Sequence, residues 1–323
     1  MSERNLAVQA SRPAAGPRLD DERLYDLLEK TSRTFALAIP LLPPPTVREV
    51  TIAYLLFRIA DTFEDASVFW SRPRQRRALE EFEHLLEEPS DGRGQELVAG
   101  WLAEPPTDHE GYLELLRETP GVLAAWRELS PAAREIVGEH TRRTAALMAE
   151  FVERSDDRGV LRLESEEDLE RYCYAVAGIV GEMLTELFLL DRPELESVAD
   201  DLRRRAAAFG EGLQLVNILR DSASDRTEGR NYLPEEVVPR AEVFARARRD
   251  LEAAAEYTLA LQRAGGPDGV VSFTAVPILL ARATLEAVEE EGPGAKITRE
   301  QVYALYHGVL QALEAGRPVV ETG

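Results

Sequence analysis

Cysteine and lysine are what this sequence has least of. Its 323 residues contain one cysteine, Cys173, so no internal disulfide can form and a thiolate metal site is not expected. Lysine occurs at Lys30 and Lys296 alone, and arginine carries nearly all the positive charge. Genome composition accounts for that bias most simply, although the arginine fork also suits bidentate contact with phosphate. The four histidines, His84, His109, His140 and His307, stand without metal-ligand spacing. Positive charge is short overall: 38 Lys and Arg face 59 Asp and Glu, for a net charge of -21. That balance argues against nucleic acid as a partner and against attachment to an anionic membrane by charge alone. It leaves room for a local basic pocket.

Long apolar runs are also missing. The N-terminal segment lacks the apolar core of a signal peptide, and no window reaches the ~18 apolar residues that span a bilayer. The expectation is a cytoplasmic protein, monomer or homodimer, with a disordered leader over 1–19, one domain over 20–316 and a flexible tail over 317–323.

Alternating strand patterns are scarce, and helical periodicity dominates. It predicts an all-α domain with helices near 20–37, 46–61, 73–87, 94–103, 110–127, 131–153, 165–190, 194–221, 240–263, 270–289 and 298–314. No fixed-period repeat or long biased linker divides it.

Two acidic motifs stand out. In "YLLFRIADTFEDAS" (54–67), Asp61 and Asp65 are four apart and so share a helix face, with Glu64 beside them and Arg58 one turn earlier. In "LQLVNILRDSASD" (213–225), Asp221 and Asp225 repeat the spacing, and Gln214, Asn217 and Asp221 form one polar stripe. Each pair ends an apolar run and has an arginine nearby. Close carboxylates repel by about 1 kcal/mol or more near a surface, a penalty that a divalent cation removes. Magnesium prefers oxygen ligands and commonly binds through one or two carboxylates plus phosphate oxygens. Spacing alone leaves two readings open: a metal and diphosphate site, or solvated helix ends with salt bridges.

Four ordered segments resemble the squalene and phytoene synthases, head-to-head prenyl synthases. They are "TSRTFALAIPLLP", "YLLFRIADTFED", "YCYAVAGIVGEMLTELF" and "QLVNILRDSASDRTEGRNYLPEE", and the likeness covers most of residues 20–300. The resemblance implies the single-domain, all-α type I isoprenoid synthase fold around a central cavity. It implies Mg²⁺ at Asp61, Asp65, Asp221 and Asp225, with Glu64 adding a ligand. Ser32, Arg33, Arg58, Arg220 and Arg230 would contact diphosphate oxygens, and Gln214 and Asn217 would orient ligands. Phe35, Tyr54 and Tyr172 would line the cavity, where aromatic faces stabilise a carbocation. The family often has Glu before the last aspartate of the second motif; Ser224 stands there, which puts the strength of that metal site in doubt.

Within the family, "LEKTSRTFA", "RIADTFED" and "ARATLEAVEEEGPGAKITREQV" look closer to squalene synthases, of the soluble bacterial type. The implied activity joins two farnesyl diphosphates to presqualene diphosphate and on to squalene with NADPH. Lys296, together with Asn217 and Arg230, would meet the NADPH phosphates; for Lys296 an ordinary surface position is an equal reading. The apolar product implies peripheral membrane contact for its release. Phytoene synthase on geranylgeranyl diphosphate, or dehydrosqualene synthase without reduction, is the alternative within the family. A non-catalytic helical scaffold is the alternative of another class, and retention of all four aspartates weighs against it.

Overall fold

The computed structural model describes residues 18–32, 34–87, 91–156, 159–190, 192–227, 230–233 and 238–322, with backbone alone for Asp91, Thr227 and Arg230. The described chain is built almost wholly of helices, as expected. In order they are α1 (Asp21–Thr31), α2 (Phe35–Ala38), α3 (Thr46–Glu64), α4 (Arg72–Glu87), α5 (Asp91–Ala103), α6 (Glu110–Arg117) and α7 (Thr119–Arg127). There follow α8 (Pro131–Glu153), α9 (Glu166–Cys173), α10 (Ile179–Leu189), α11 (Ala199–Thr227), α12 (Arg240–Arg263), α13 (Asp268–Glu291) and α14 (Arg299–Glu314). One two-residue parallel bridge pairs Leu161 with Arg230 and Arg162 with Asn231. It ties the loop before α9 to the segment after α11.

Three predicted helices are broken, each for a local reason. The helix expected over 20–37 stops at Thr31, because Ser32 is extended and its Oγ accepts the Phe35 N–H at 3.0 Å, starting α2 instead. The helix expected over 110–127 divides at Glu118, next to Pro120 in the first turn of α7, where a missing N–H costs nothing. Between α9 and α10 the chain widens into a π-helical turn over Tyr174–Gly178, a feature common at functional sites. By contrast α11 outruns its expected end at 221 and reaches Thr227. Both aspartates of the second motif therefore ride on one continuous helix.

Helix α3 is apolar on nearly every face and buries Ile52, Ala53, Leu55, Leu56, Ile59 and Ala60 completely. It contacts α1, α4, α7 and α8, while α11 contacts α10, α12 and α13. The α10–α11 contact depends on glycine. A Cβ on Gly181 would lie 1.9 Å from the Ala206 carbonyl oxygen, and one on Gly210 would lie 1.9 Å from that of Ala177. The small residues of "AVAGIVG" (175–181) thus allow close backbone approach.

Two sequence expectations change here. Two helical stretches, Glu166–Leu189 and Asp268–Glu291, are long and apolar enough to cross a membrane by length and composition, with 61% and 72% of the apolar window buried inside the fold. Their hydrophobicity serves the core. The segment expected to be a flexible tail is docked: Val319 and Val320 are buried, the Gln262 amide donates to the Arg317 carbonyl, and Arg282 donates to the Glu321 carbonyl. At the other end Leu19, inside the expected leader, is buried against Gly121, and residues before Arg18 lie outside the described ones.

Candidate active site

A cavity of about 200 Å³ opens between α3, the π turn with α10, and α11. Its polar end is built by Arg58 and Asp61 of α3 together with Gln214 and Asn217 of α11. Its apolar wall includes Phe35, Tyr54, Phe57, Val176, Val180, Leu184, Phe209, Leu213 and Phe273. Parts of the two motifs, about 160 residues apart in sequence, thus line one space, while Asp65, Arg220, Asp221 and Asp225 are outside its lining. Gly181 and Gly210 line it as well, so the contact that seats α10 against α11 also shapes the cavity wall.

Helical spacing puts Arg58, Asp61 and Asp65 on adjoining turns. Arg58 Nη1 lies 3.3 Å from Asp61 Oδ2, and Arg58 Nε donates to the Tyr54 hydroxyl at 3.3 Å. The Tyr54 hydroxyl donates in turn to the Thr31 carbonyl at 2.8 Å, which turns its ring toward the cavity. Asp61 keeps 30% of its side-chain surface but is densely surrounded. Desolvation pushes its carboxyl up to about 6; Arg58 opposes the shift and Asp65 adds to it. Burial works against the charge on Arg58, yet Asp61 and the neighbouring tyrosines hold its pKa above the ordinary value.

On α11, Arg220 grips Asp221, with Nε–Oδ1 2.8 Å and Nη2–Oδ2 2.5 Å. Ser224, the departure from the family pattern, sends its hydroxyl back to the Asp221 carbonyl at 2.8 Å, a bond within the helix. Asp225 shares a small pocket with Ser222, Arg226, Asn231 and Tyr232. The loop carrying Lys296 reaches the same region, since the Gly294 N–H donates to the Arg220 carbonyl at 2.7 Å. Lys296 itself is exposed and outside the cavity lining. The Ser32 hydroxyl oxygen accepts the Phe35 N–H, and Ser32 is outside the cavity lining. Arg33 and the Arg230 side chain lie outside the described residues.

Two expected residues turn elsewhere. Tyr172 is buried, stacks on Tyr232 at 4.6 Å, meets Phe151 edge-on, and is absent from the cavity lining. Its hydroxyl reaches Glu64 Oε1 at 3.1 Å and the Tyr232 hydroxyl at 2.9 Å. Glu64 therefore faces Tyr172 and a separate small pocket with Ser67, Gln75 and Tyr232, away from the cavity into which Asp61 projects. The reason lies at the end of α3, where a buried phenol supplies a donor for the Glu64 carboxylate. Burial, then Glu64 and Tyr232, raise the Tyr172 pKa well above the phenol range.

Sequence reading missed Tyr112, whose ring centroid lies 5.4 Å from the Arg58 guanidinium carbon. It lies in the helix predicted over 110–127, but no motif there marks it as a site residue. It also passed over Tyr232 as a site residue, although the tyrosine stood inside a quoted segment.

The described residues contain no converging group of three or more Asp, Glu, His or Cys side chains able to cage a metal. A magnesium site here would accordingly be shared between carboxylates and a bound diphosphate.

The sequence model described as "Squalene/phytoene synthase" matches residues 28–304. The squalene synthase of Eremothecium gossypii is 31% identical over 220 residues, covering 67% of this chain and 46% of that protein. The human squalene synthase is 29% identical over 298 residues, covering 84% of this chain and 66% of that one. The chain thus spans about half the length of the fungal relative. The solved complex of TcSQS with a ligand superposes with a TM-score of 0.70 at 26% identity, over 88% of this chain and 84% of that one. With its four ordered motifs, its helical architecture and a family match across most of its length, the chain belongs to the squalene/phytoene synthase family.

Proposed function

We propose that this protein condenses two farnesyl diphosphates head to head, through presqualene diphosphate, to squalene, with Mg²⁺ and NADPH. The observation that carries this reading is the cavity in which Arg58 and Asp61 meet Gln214 and Asn217 beside an apolar wall. The polar end suits a diphosphate and the apolar end a prenyl chain. The described relatives support the choice of squalene, being squalene synthases by name.

The donor chemistry fits Mg²⁺. Asp61 and Asp65 offer oxygen ligands, and burial, with Asp65 nearby, makes the charged form of Asp61 costly, a penalty that a bound cation would relieve. At the second motif, Asn231 Oδ1 is buried without a hydrogen-bond partner in the pocket that holds Asp225. Asp61, Asp65, Asp221 and Asp225 would hold the metal. When bound, Mg²⁺ supplies the charge that stabilises departing diphosphate, and NADPH supplies a hydride.

The chain's own residues do the rest. Arg58 and Arg220 present guanidinium donors to diphosphate oxygens. Gln214 and Asn217 orient the ligand from α11. Tyr54 and Phe35, 5.8 Å apart, present ring faces to the cavity, where a carbocation gains ~0.5–2 kcal/mol. The apolar wall excludes water that would capture it. The cavity is below the ~300–1,000 Å³ of common ligand pockets, so two prenyl chains require its side chains to give way. The loop that carries Lys296 is tied to the Arg220 carbonyl at Gly294, two residues before it, and the exposed Lys296 would be free to meet an NADPH phosphate. The site of action we propose is cytoplasmic, with peripheral contact at the inner membrane face where the apolar product leaves.

The test is incubation of the purified protein with farnesyl diphosphate and Mg²⁺, with and without NADPH, followed by analysis of the extract. Squalene is expected with NADPH, and presqualene diphosphate or dehydrosqualene without it. Absence of every thirty-carbon product would overturn the reading, and phytoene from geranylgeranyl diphosphate would replace the donor.

A further inference from the structure

Arg58 belongs to a column of rings running from the surface to the cavity. His109 and Tyr112 lie 4.1 Å apart by ring centroid, and the Arg58 guanidinium carbon lies 5.4 Å from the Tyr112 ring and 5.6 Å from the Tyr54 ring. Tyr54 then meets Phe35 in the cavity wall. Tyr112 sits in the first turn of α6, whose cap is His109 Nδ1 accepting the Tyr112 N–H at 3.3 Å.

The position of α6 is set against the last turn of α1. Gly111 permits it, because a Cβ there would lie 2.6 Å from the Lys30 carbonyl oxygen. Arg23 and Lys30 bind Glu114, at 2.8 and 2.9 Å, and Arg23 also binds Glu118 at 2.8 Å. The next carbonyl, that of Thr31, takes the Tyr54 hydroxyl. Both rings beside Arg58 are thus registered against consecutive carbonyls of one helix end. Arg58 uses Nε on Tyr54 and Nη1 on Asp61, and its Nη2 has no protein acceptor among the described residues.

We propose that Tyr112 is a positioning residue, which with Tyr54 clamps the Arg58 guanidinium at the cavity mouth so that its spare donors meet a diphosphate. Without the second ring Arg58 collapses onto the neighbouring carboxylates, and both the cation and the metal ligands are lost to the substrate. A preorganised guanidinium binds an anion more tightly because less freedom is given up on binding. The proposal rests on the diphosphate reading of the site but not on the identity of the product.

The test is calorimetric titration of the full-length protein with inorganic pyrophosphate in Mg²⁺. Tyr112→Leu should weaken binding roughly 5- to 30-fold and Tyr112→Phe should restore it, because the aromatic face and not the hydroxyl holds the cation. In an Arg58→Leu background, Tyr112→Leu should add nothing further. Ring-fluorinated phenylalanines at position 112 keep the shape and so avoid a folding defect; affinity should fall stepwise with fluorination. Wild-type affinity in Tyr112→Leu, an equal loss with or without Arg58, or no response to fluorination would each overturn the clamp. Failure of the squalene reading would appear instead as a missing product with this pattern intact.

Discussion

Arg220 holds the carboxylate of its own sequence neighbour, Asp221, through two parallel hydrogen bonds of 2.8 and 2.5 Å. The first motif has a counterpart, Arg58 Nη1 at 3.3 Å from Asp61. Each acidic motif therefore carries its own counter-ion. Without a metal, the arginine relieves repulsion between the acids. Under the function proposed above, a bound metal would take over that role and leave the guanidinium available to phosphate oxygens.

Removing the counter-ion of the second motif should separate these two roles. Arg220 keeps 32% and Asp221 40% of the side-chain surface, so the pair is worth only ~0.3–1 kcal/mol. Arg220→Gln should therefore raise affinity for Mg²⁺ alone about two- to fivefold, while affinity for pyrophosphate in Mg²⁺ falls. Calorimetry of both titrations checks this; two unchanged affinities would take Arg220 out of the site.

Asp61 makes the metal-free protein pH-sensitive. Its folded value, about 6, lies above the ordinary 3.8, so between those values the folded chain holds a proton that the unfolded chain has released. The ionised group is thus a cost of about 1–3 kcal/mol above pH 6, relieved as pH falls toward 4. Measured against Asp61→Asn without metal, the wild-type Tm should rise between pH 8 and pH 5. Mg²⁺ affinity should decline over the same interval. A Tm difference independent of pH would count against the shifted carboxyl.

Gly210 has no room for a side chain. Gly210→Ala should destabilise the fold by about 1–3 kcal/mol or more, since the added methyl meets the Ala177 backbone and not a movable side chain. Because Gly210 also lines the cavity, farnesyl diphosphate turnover should fall with it. Urea denaturation with a wild-type midpoint would refute the close approach of the π turn and α11.

The Tyr172 hydroxyl is a buried donor to Glu64. Tyr172→Phe should cost about 1–3 kcal/mol of stability by leaving that carboxylate without it. Tyr232→Phe, which keeps the Glu64 bond and the ring stack, should cost less. Equal costs would show that the tyrosine pair, and not the carboxylate, sets the energy.

The helices were legible because burial imposes a period. The apolar run of α3 was legible although the helix continues three residues past its expected end at 61, and the 131–153 helix agrees at both ends. The breaks were harder to read. Ser32 could have continued α1, but its backbone is extended and its hydroxyl oxygen accepts the Phe35 N–H. The second motif, read as a helix end, is helical through Thr227.

The acidic pairs were visible for the same reason as the helices, since i and i+4 always share a face. Glu64 was named from its place beside the first pair and Tyr172 from the family resemblance, and folding turns both away from the cavity, onto each other. Tyr112 carries no local signal; it reaches Arg58 only because Gly111 lets α6 lie against α1.

Periodicity, helix caps and charge spacing act over a few residues, so the chain's order alone set the all-α class, the two acidic pairs and their arginines. Which of those groups share a cavity depends on contacts between segments far apart in the chain. Glycine at 181 and 210, the end of α1 and the turn into α6 make those contacts. Such meetings are decided by backbone approach and side-chain volume in three dimensions, and one-dimensional spacing does not encode them.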